Sequence, residues 1–409
     1  MRFVNFVAFR YLFAPKRTNF INLVTGISFL GVWVGAAALV VVLSVYNGLE
    51  ALTEGLYSKF NPDIRIRPAT GKLLNAQELE QALQGWEQVE AISYSLQENA
   101  LVRYGEREQV AMVKGVDSAY AGVTGIASTM IRGEFVLRDG FGLPYAMLGS
   151  GLGYALQISL NDFRRGLDVY MPLRGAKIDL MRPERAFVQR SLQPAGIFDV
   201  QPDINQHYML VPLVFMQNLM QLNSEEVGEA ELLLKPGVQS ESFMKRLQQH
   251  LGDDFEVKDR YRQEEAIYKI FRTEKWWTYF FLLLIVLVAA LNLVGSLSML
   301  VIEKKRDIAI LAGLGASRSQ LFAIFMGVGL LITGIGALLG VGTGVLLCWL
   351  QQNFGFIQLA GEGSFVVNAY PVRLLAFDIV AVLLGVCLIG ALCALYPAQR
   401  AARQGLVKA

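Results

Sequence analysis

Four long apolar stretches constrain this chain more than any other feature of its sequence. Residues 21–46, 276–302 and 321–350 contain no Asp, Glu, Lys or Arg, and residues 374–396 contain only Asp378. As a helix the first stretch would be about 39 Å long, which exceeds the roughly 30 Å hydrocarbon core of a bilayer. A cleaved signal peptide is the competing interpretation of this stretch, but such a peptide has a shorter apolar region of about 7 to 15 residues. We therefore predict four transmembrane helices.

The segment between the first two apolar stretches has the composition of a soluble domain. Residues 47–275 contain no cysteine and carry a formal charge of −6, in a chain of which only 18% is charged. Strand-like patterns cover 63–67, 230–237 and 255–260, and helix-like patterns cover 76–86, 240–251 with a serine cap, and about 263–273, which runs directly into the second apolar stretch. Short β signals rich in Gly and Pro predict a second lobe at about 119–224, inserted between two halves of the first.

Lysine and arginine mark the side of the membrane that we expect to be cytoplasmic. They cluster before the first apolar stretch, in the loop after the second and in the tail: Arg2, Arg10, Lys16, Arg17, Lys304, Lys305, Arg306, Arg318, Arg400, Arg403 and Lys408. The positive-inside rule then places residues 1–20, 303–320 and 397–409 in the cytoplasm and residues 47–275 and 351–373 outside. Residues 1–20 read as an amphipathic helix on the inner leaflet. The predicted fold class is a membrane protein with four transmembrane α-helices and a large external α+β domain between helices 1 and 2.

Signals for catalysis, metal binding or cofactor binding are weak. His207 and His250 have no cysteine or second histidine at ligand spacing, and the cysteines, Cys348, Cys387 and Cys393, all lie in apolar stretches. No G-x-x-x-x-G-K-[ST] loop occurs in the sequence. We therefore expect no catalytic residue, no metal and no cofactor in this chain, and no ATP site of its own.

The cytoplasmic loop between the second and third stretches is too apolar for a solvated connector. Its residues Ile308, Ala309, Ile310, Leu311 and Leu314 need a cover, which is either the inner leaflet or a groove on a partner protein. Glycines at 313 and 315 are expected to end this short helix and to permit a sharp return into the third stretch.

This loop resembles the coupling-helix signature of the MacB/FtsX/LolC-LolE superfamily of ABC permeases. The string EKKRDIAILAGLGAS carries the resemblance at Glu303, Lys304, Arg306, Asp307, Ile308, Ala309, Leu311, Gly315, Ala316 and Ser317, with Leu314 on the same apolar helix. Further segments are similar to the lipoprotein-releasing LolC/LolE branch: the V-x-N-G ending at Val45, Asn47 and Gly48, then VKGVD at 113–117, AGIF at 195–198, MLVPL at 209–213 and YPAQRAA at 396–402. The chain departs from the branch at 160–172 and after 198.

The resemblance implies a function and a set of partners. It implies a permease subunit in the cell inner membrane that extracts lipoproteins and passes them to a LolA-like periplasmic carrier. ATP and Mg would be bound by a separate LolD-like ATPase that docks on the coupling loop. A second permease subunit, either the same chain or a paralogue, lipoprotein cargo and membrane lipids complete the expected partners, and no nucleic acid is expected.

Three further groups of residues are candidate sites. Gly31 and Gly35 form G-x-x-x-G in the first stretch, and Gly336, Gly340 and Gly344 repeat in the third, which suggests helix packing or a dimer contact. A net positive segment includes the expected carrier contacts Arg174, Lys177, Arg182, Pro183 and Arg185, where the resemblance implies a protruding hairpin. Asp378 is an intramembrane carboxylate or, in the interpretation we favour, a solvated helix end.

Other functions remain open at this stage. A MacB-type efflux or mechanotransmission permease is the first, although such chains carry a fused ATPase domain and only about 20 residues precede the first stretch here. An FtsX-like subunit that regulates a cell-wall hydrolase is the second, and a smaller external domain would favour it. A membrane-embedded enzyme is the third, and the apolar stretches contain no histidine to support it.

Overall fold

The computed structural model describes residues 2–13, 19–162, 164–172, 187–358 and 369–404. The helices are α1 (Arg2–Phe13), α2 (Asn19–Tyr57), α3 (Ala76–Ala82), α4 (Tyr120–Val123), α5 (Ser150–Leu156), α6 (Pro202–His207), α7 (Leu213–Met220), α8 (Ser240–Leu251), α9 (Arg260–Gln263), α10 (Glu265–Glu303), α11 (Lys305–Gly313), α12 (Arg318–Phe354) and α13 (Ala376–Gln404), with a 3-10 turn at Ile126–Thr129. The strands are β1 (Ile64–Pro68), β2 (Leu74–Asn75), β3 (Val89–Tyr104), β4 (Arg107–Val116), β5 (Met130–Gly133), β6 (Tyr145–Gly149), β7 (Leu167–Pro172), β8 (Phe187–Phe198), β9 (Tyr208–Pro212), β10 (Glu226–Val227), β11 (Glu229–Leu234) and β12 (Phe255–Asp259). The chain divides into a helical unit, Met1–Leu52 with Ile267–Ala409, and a sheet unit, Thr53–Ala266.

Helices long and apolar enough to cross a membrane dominate the helical unit. Among the described residues, four qualify by length and composition: Thr25–Gly55, Glu265–Glu303, Arg318–Phe354 and Ala376–Gln404. They coincide with the four apolar stretches, and the four-helix prediction is confirmed. The helix expected at 263–273 is the beginning of α10, which starts at Glu265 and continues without a break.

The helices pack through small and apolar side chains with a few polar contacts between them. The core takes buried side chains from α2, α10, α12 and α13. Thr25 on α2 hydrogen-bonds Ser296 on α10 at 3.0 Å, and the indole of Trp33 donates to Thr343 on α12 at 3.2 Å. In a bilayer, where apolar burial drives no association between helices, such close packing and hydrogen bonds hold a bundle together.

The N-terminal segment is helical, as its amphipathic pattern predicts, but it is more than a surface helix. Ala8 is buried in the core of the unit, and Val7 and Tyr11 pack against that core. Phe6 and Phe9 on the opposite side are exposed. One face of α1 is therefore packed against the other helices of the unit.

The sheet unit contains a ten-stranded mixed sheet. Its long strand β3 belongs both to an antiparallel part of the sheet and to a closed circuit of strands. At its first end β3 pairs with β11, which continues through β1 to β12, all antiparallel. At its other end β3 pairs with β4 and β7, and the pairings β4–β9, β9–β6, β6–β8 and β8–β7 complete a circuit of six strands. Of these contacts, β4–β9 and β6–β8 are parallel.

The expected second lobe at 119–224 therefore needs correction. Its strands do not form a sheet of their own, because β3 and β4, which precede residue 119, complete the circuit. Two separate apolar cores are present, one inside the circuit and one between β1, β11, β12 and the helices α3 and α8. At 16 residues, β3 is long enough to serve both.

Two local predictions in this unit also differ from the structure. The helix expected at 76–86 ends at Ala82, and Gly85 adopts a φ of +89° that stops its continuation. Ser240 was expected to cap α8, but it is the first helical residue, and Gln239 occupies the cap position without a side-chain hydrogen bond. Nearby Ser242 donates to the Gln239 carbonyl at 3.0 Å.

A buried ion pair joins β4 and β11, the two strands that flank β3. Lys114 Nζ lies 2.7 Å from Glu231 Oε1, with side chains 1% and 0% exposed. Ser95 donates to the same oxygen at 2.7 Å, and the ammonium lies 5.1 Å from the Phe60 ring centroid and 5.0 Å from that of Tyr120. The adjacent Glu229 makes ion pairs with two arginines. A buried charge is tolerated only where partners of this kind surround it.

Burial and positive charge act in opposite directions on Glu229. Burial raises the pKa of its carboxyl, but Arg65, Lys114 and Arg67 together hold the pKa below its ordinary value. The carboxylate is therefore ionised at neutral pH. The charges of this cluster lie on β1, on its neighbour β11 and on β4, which is separated from β11 by β3. The pair of Lys114 and Glu231 therefore links the two strands on either side of β3.

We predict that Lys114→Met destabilises the protein by about 3–5 kcal/mol, because Glu231 would stay buried without its cation. The double variant Lys114→Met/Glu231→Leu should recover most of that loss, since no buried charge is then left uncompensated. Hydrogen exchange of β4 and β11 in the detergent-solubilised chain measures both. Equal exchange in the single and double variants would contradict the prediction.

Candidate functional site

The helix α11, which carries the segment that resembles a coupling helix, packs one face against the helical unit and presents other side chains outward. Ile308 is buried at 1% exposure in the core of the unit, and Leu311 is half-buried. On the other side Ile310 and Leu314 are 56% and 80% exposed. An amphipathic helix that anchors one face and leaves apolar side chains uncovered on the other suits docking into a groove.

The end of the segment that resembles the coupling signature reverses the direction of the chain. The helix α11 ends at Gly313, and Gly315 adopts a φ of +94°, a backbone conformation that glycine accepts without strain. Ser317 Oγ then accepts from the Gln320 N–H at 3.3 Å, and Gln320 Oε1 accepts from the Ser317 N–H at 2.9 Å. This reciprocal capping box starts α12. The expected turn is confirmed, and Ser317 is a helix cap.

The residues at the charged start of the signature also differ in their exposure, some facing the helical unit and others facing outward. Lys304 Nζ pairs with Asp307 at 3.4 Å and lies 5.6 Å from the Tyr11 ring centroid. Glu303 is the last residue of α10 and half-buried, whereas Arg306 and Ala309 are exposed. The outward face of α11 thus combines basic and apolar side chains.

A cavity of about 500 Å³ opens in the helical unit among α2, α10 and α13. It is lined by Leu43, Glu50, Arg272, Lys275, Trp276, Tyr279, Phe377, Asp378, Ala381, Leu384, Gly385 and Leu388. The charged side chains come from Glu50 on α2, from Arg272 and Lys275 on α10 and from Asp378 on α13, and the apolar ones come from all three helices. Such a volume falls in the range of ligand pockets. The lining suits a molecule with a polar head and an alkyl chain.

The charged end of the cavity is a hydrogen-bonded cluster of three helices. Asn47 on α2 donates to Asp378 Oδ2 at 2.6 Å, and Lys275 on α10 pairs with that oxygen at 3.0 Å. Lys275 also donates to Asn47 Oδ1 at 2.8 Å. Asp378 is 8% exposed, so the expectation of a solvated helix end is wrong. Its neighbours supply a cation and an amide that replace water.

The asparagine and glycine of the V-x-N-G segment have structural roles at this cluster. Asn47 also donates to the carbonyl of Arg373 at 3.2 Å. A Cβ on Gly48 would lie 2.3 Å from the Pro371 carbonyl oxygen. Only glycine therefore lets the chain that precedes α13 approach α2 this closely.

The glycine stripes pack helices of the same chain. A Cβ on Gly31 or Gly35 would lie 2.9 Å from Ala289 or 2.7 Å from Val286 on α10. For the stripe on α12, the added Cβ would lie 3.2 Å from Val32 at Gly336, 2.5 Å from the Trp33 carbonyl at Gly340 and 2.8 Å from Val40 at Gly344. Of the two expected roles, helix packing describes these glycines. A dimer contact does not, because other helices of the same chain occupy the space in front of each glycine.

The expected carrier contacts lie outside the described residues. Arg174, Lys177, Arg182, Pro183 and Arg185 all fall in 173–186, which follows β7 and precedes β8. The two strands pair as far as Pro172 and Phe187. The carrier contact stays a prediction.

Sequence reasoning missed the cavity and, apart from Asp378, its charged residues. One signal was available: Lys275 directly precedes the aromatic run at 276–281 and so enters the membrane interface, where Asp378 is the only acid of the fourth stretch. Among the described residues, no three His, Cys, Asp or Glu side chains gather as a metal site would require.

Known proteins resemble this chain over its whole length. The MacB-like periplasmic core domain matches residues 25–250, and the FtsX-like permease C-terminal family matches residues 279–406. The lipoprotein-releasing system transmembrane protein LolE of Haemophilus influenzae is 26% identical over 418 residues, covering 97% of this chain and 96% of LolE. LolC of Neisseria meningitidis serogroup B is 28% identical over the same shares of both chains. The macrolide export ATP-binding/permease protein MacB of Hyphomonas neptunium is 24% identical over 90% of this chain and 55% of MacB.

We predict that Lys275→Met lowers the stability of the detergent-solubilised chain by about 1–3 kcal/mol, because Asp378 would lose its cation while buried. Adding Asp378→Asn should restore most of the loss. The control Lys269→Met removes an exposed lysine from the same helix and should change little. Thermal unfolding checks all three, and equal melting temperatures for the two lysine variants would refute the role of the cluster.

Proposed function

The chain belongs to the family of the MacB-like periplasmic core domain, and we propose that it is a permease subunit of a lipoprotein-releasing ABC transporter of the inner membrane. The observation that carries the proposal is the similarity to LolC and LolE, which extends over 97% of this chain and 96% of each relative. The match to MacB covers only 55% of that protein. Four apolar helices and a periplasmic-type domain fit an inner-membrane permease.

The cavity supports this function because its chemistry suits an acylated protein. Removing one acyl chain from a bilayer costs about 0.8 kcal/mol for each CH2, so several chains resist extraction by tens of kcal/mol. Leu384 and Leu388 would face the alkyl chain, and Lys275 and Arg272 the polar linkage. An apolar cavity in the permease lowers the cost of leaving the bilayer by keeping the chain out of water.

Extraction on this scale needs an energy source, and we assign it to a separate LolD-like ATPase that binds ATP and Mg. The exposed Ile310 and Leu314 support docking of that ATPase on α11. By the positive-inside rule, α11 and both termini would then be cytoplasmic and the sheet unit periplasmic. A LolA-like carrier would receive the cargo near 173–186, and a second permease subunit, identical or paralogous, would complete the transporter.

A MacB-type export permease is the alternative, because the periplasmic core domain that this chain matches is MacB-like. The two functions differ in the molecule that is transported. Reconstitution with the ATPase in proteoliposomes, with an acylated lipoprotein and its carrier present, should give ATP-dependent release. If the complex moves soluble macrolides and leaves lipoproteins in the membrane, the export function is correct.

We predict that Leu384→Trp slows lipoprotein release at least tenfold, because the larger side chain fills the cavity where the alkyl chain would lie. The matched control Leu392→Trp changes an exposed leucine on the same helix, outside the cavity, and should release lipoprotein normally. The measurement is transfer of labelled lipoprotein to the carrier in proteoliposomes. Equal loss in the two variants would count against a cargo role for the cavity.

Leu314→Asp should weaken binding of the ATPase by about 2 kcal/mol or more, because a carboxylate would replace an apolar contact inside the docking groove. The control Ser319→Asp places the same charge at an exposed position at the start of α12. Co-purification and ATPase stimulation report the effect. Unchanged stimulation in Leu314→Asp would remove α11 as the docking element.

A further inference from the structure

The N-terminal helix α1 is fixed to the rest of the helical unit on its inner side. Its Ala8 is 1% exposed, and the Cβ of Ala8 lies 3.3 Å from the position that a Cβ on Gly327 of α12 would occupy. The Tyr11 and Phe325 rings pack with centroids 6.1 Å apart. The helix α1 is therefore held on α12 and presents a defined face.

That defined face lies beside the coupling helix. Lys304, between α10 and α11, places its ammonium 5.6 Å from the Tyr11 ring centroid and pairs with Asp307 at 3.4 Å. Burial, and then the charge of Asp307, raise the pKa of Tyr11 to about 12, so the phenol stays neutral. A neutral ring under an ammonium is a favourable cation–π contact.

Between α1 and α11 is a groove of about 240 Å³. Its walls are Val7, Arg10 and Tyr11 from α1 and Asp307, Ile310 and Leu311 from α11. Ile310 is 56% exposed and belongs to the outward face already assigned to ATPase docking, so the groove is continuous with that face. Arg10 is exposed at the other wall.

We infer that α1 is the second wall of the ATPase docking site, and that the groove receives an apolar side chain of the ATPase next to an acidic residue that pairs with Arg10. This inference rests on the proposed function. Charge favours such a partner, since Arg10 in the wall of the groove is exposed, Lys305 and Arg306 on α11 are exposed, and the one acid that lines the groove, Asp307, is paired with Lys304. An apolar anchor beside a charge pair is the usual composition of an interface hot spot.

The contact would give the ATPase a direct connection to α12. Displacement of α11 alone moves the end of α10 and the start of α12. A partner seated in the groove would also press on α1, whose Ala8 and Tyr11 pack on α12. Both walls would then move with the ATPase.

The test is photo-cross-linking in the intact transporter in nanodiscs. A benzoylphenylalanine is placed at position 310, at position 10 or, as a control, at position 9, where Phe9 is 56% exposed on the side of α1 away from Val7 and Tyr11. Cross-links to the ATPase are expected from positions 310 and 10 and not from position 9. In parallel, Arg10→Glu should weaken ATPase binding at least tenfold, whereas Arg403→Glu, at an exposed position on α13, should change it less than twofold.

The possible outcomes distinguish failure of this inference from failure of the proposed function. If position 310 labels the ATPase while position 10 labels only phospholipid or nothing, the groove faces the inner leaflet and the inference is overturned, with the proposed function intact. Binding by Arg10→Glu that matches the wild type overturns it as well. If neither position labels the ATPase, docking on α11 and this inference both fail, whereas the proposed function is overturned only if the transporter also fails to release lipoprotein in proteoliposomes.

Discussion

The helical unit depends on how closely α2 can approach its two neighbours. In a bilayer, helix association has no contribution from apolar burial, so contact distance and polar contacts decide which helices pack. Gly31 and Gly35 bring α2 against α10, and the stripe on α12 brings that helix against the other side of α2. A Cβ at any of these glycines would lie within 3.2 Å of an atom of the neighbouring helix, so the two helices could not keep their present distance.

This arrangement places two different sites at the ends of α10. Lys275 lines the cavity, and Glu303 is the last residue of α10 before α11. At 1.5 Å per residue, these positions are on the order of 40 Å apart along the helix. One continuous helix therefore connects the two sites. Asn47, Lys275 and Asp378 join α2, α10 and α13 at the charged end of the cavity.

In the sheet unit, one long strand connects two parts of the sheet. The strand β3 supplies both a sheet edge for β11 and one member of the six-strand circuit, and the buried charges of β1, β11 and β4 lie where the two meet. Apolar side chains pack without specifying a partner strand, whereas a buried lysine is stable only opposite its carboxylate. The charges therefore add specificity to a sheet that the two cores stabilise.

The sequence alone determined what is local or set by the solvent. Long apolar runs predict helices that cross a membrane, and this holds for all four, because a helix satisfies the backbone hydrogen bonds of a single segment within that segment. The turn at Gly315 and the strands around 64–68 and 255–259 were likewise readable from neighbouring residues. Contacts between distant parts of the chain were not. Asp378 was expected in solvent, because a local pattern cannot reveal that Lys275 and Asn47, 103 and 331 residues away in sequence, lie beside it. The second lobe was misjudged for the same reason, since only tertiary pairing lets β3 serve two structures at once. Whether a charge is solvated or buried, and which neighbour a strand or glycine meets, depends on chain segments far apart in sequence, and only the folded structure decides it.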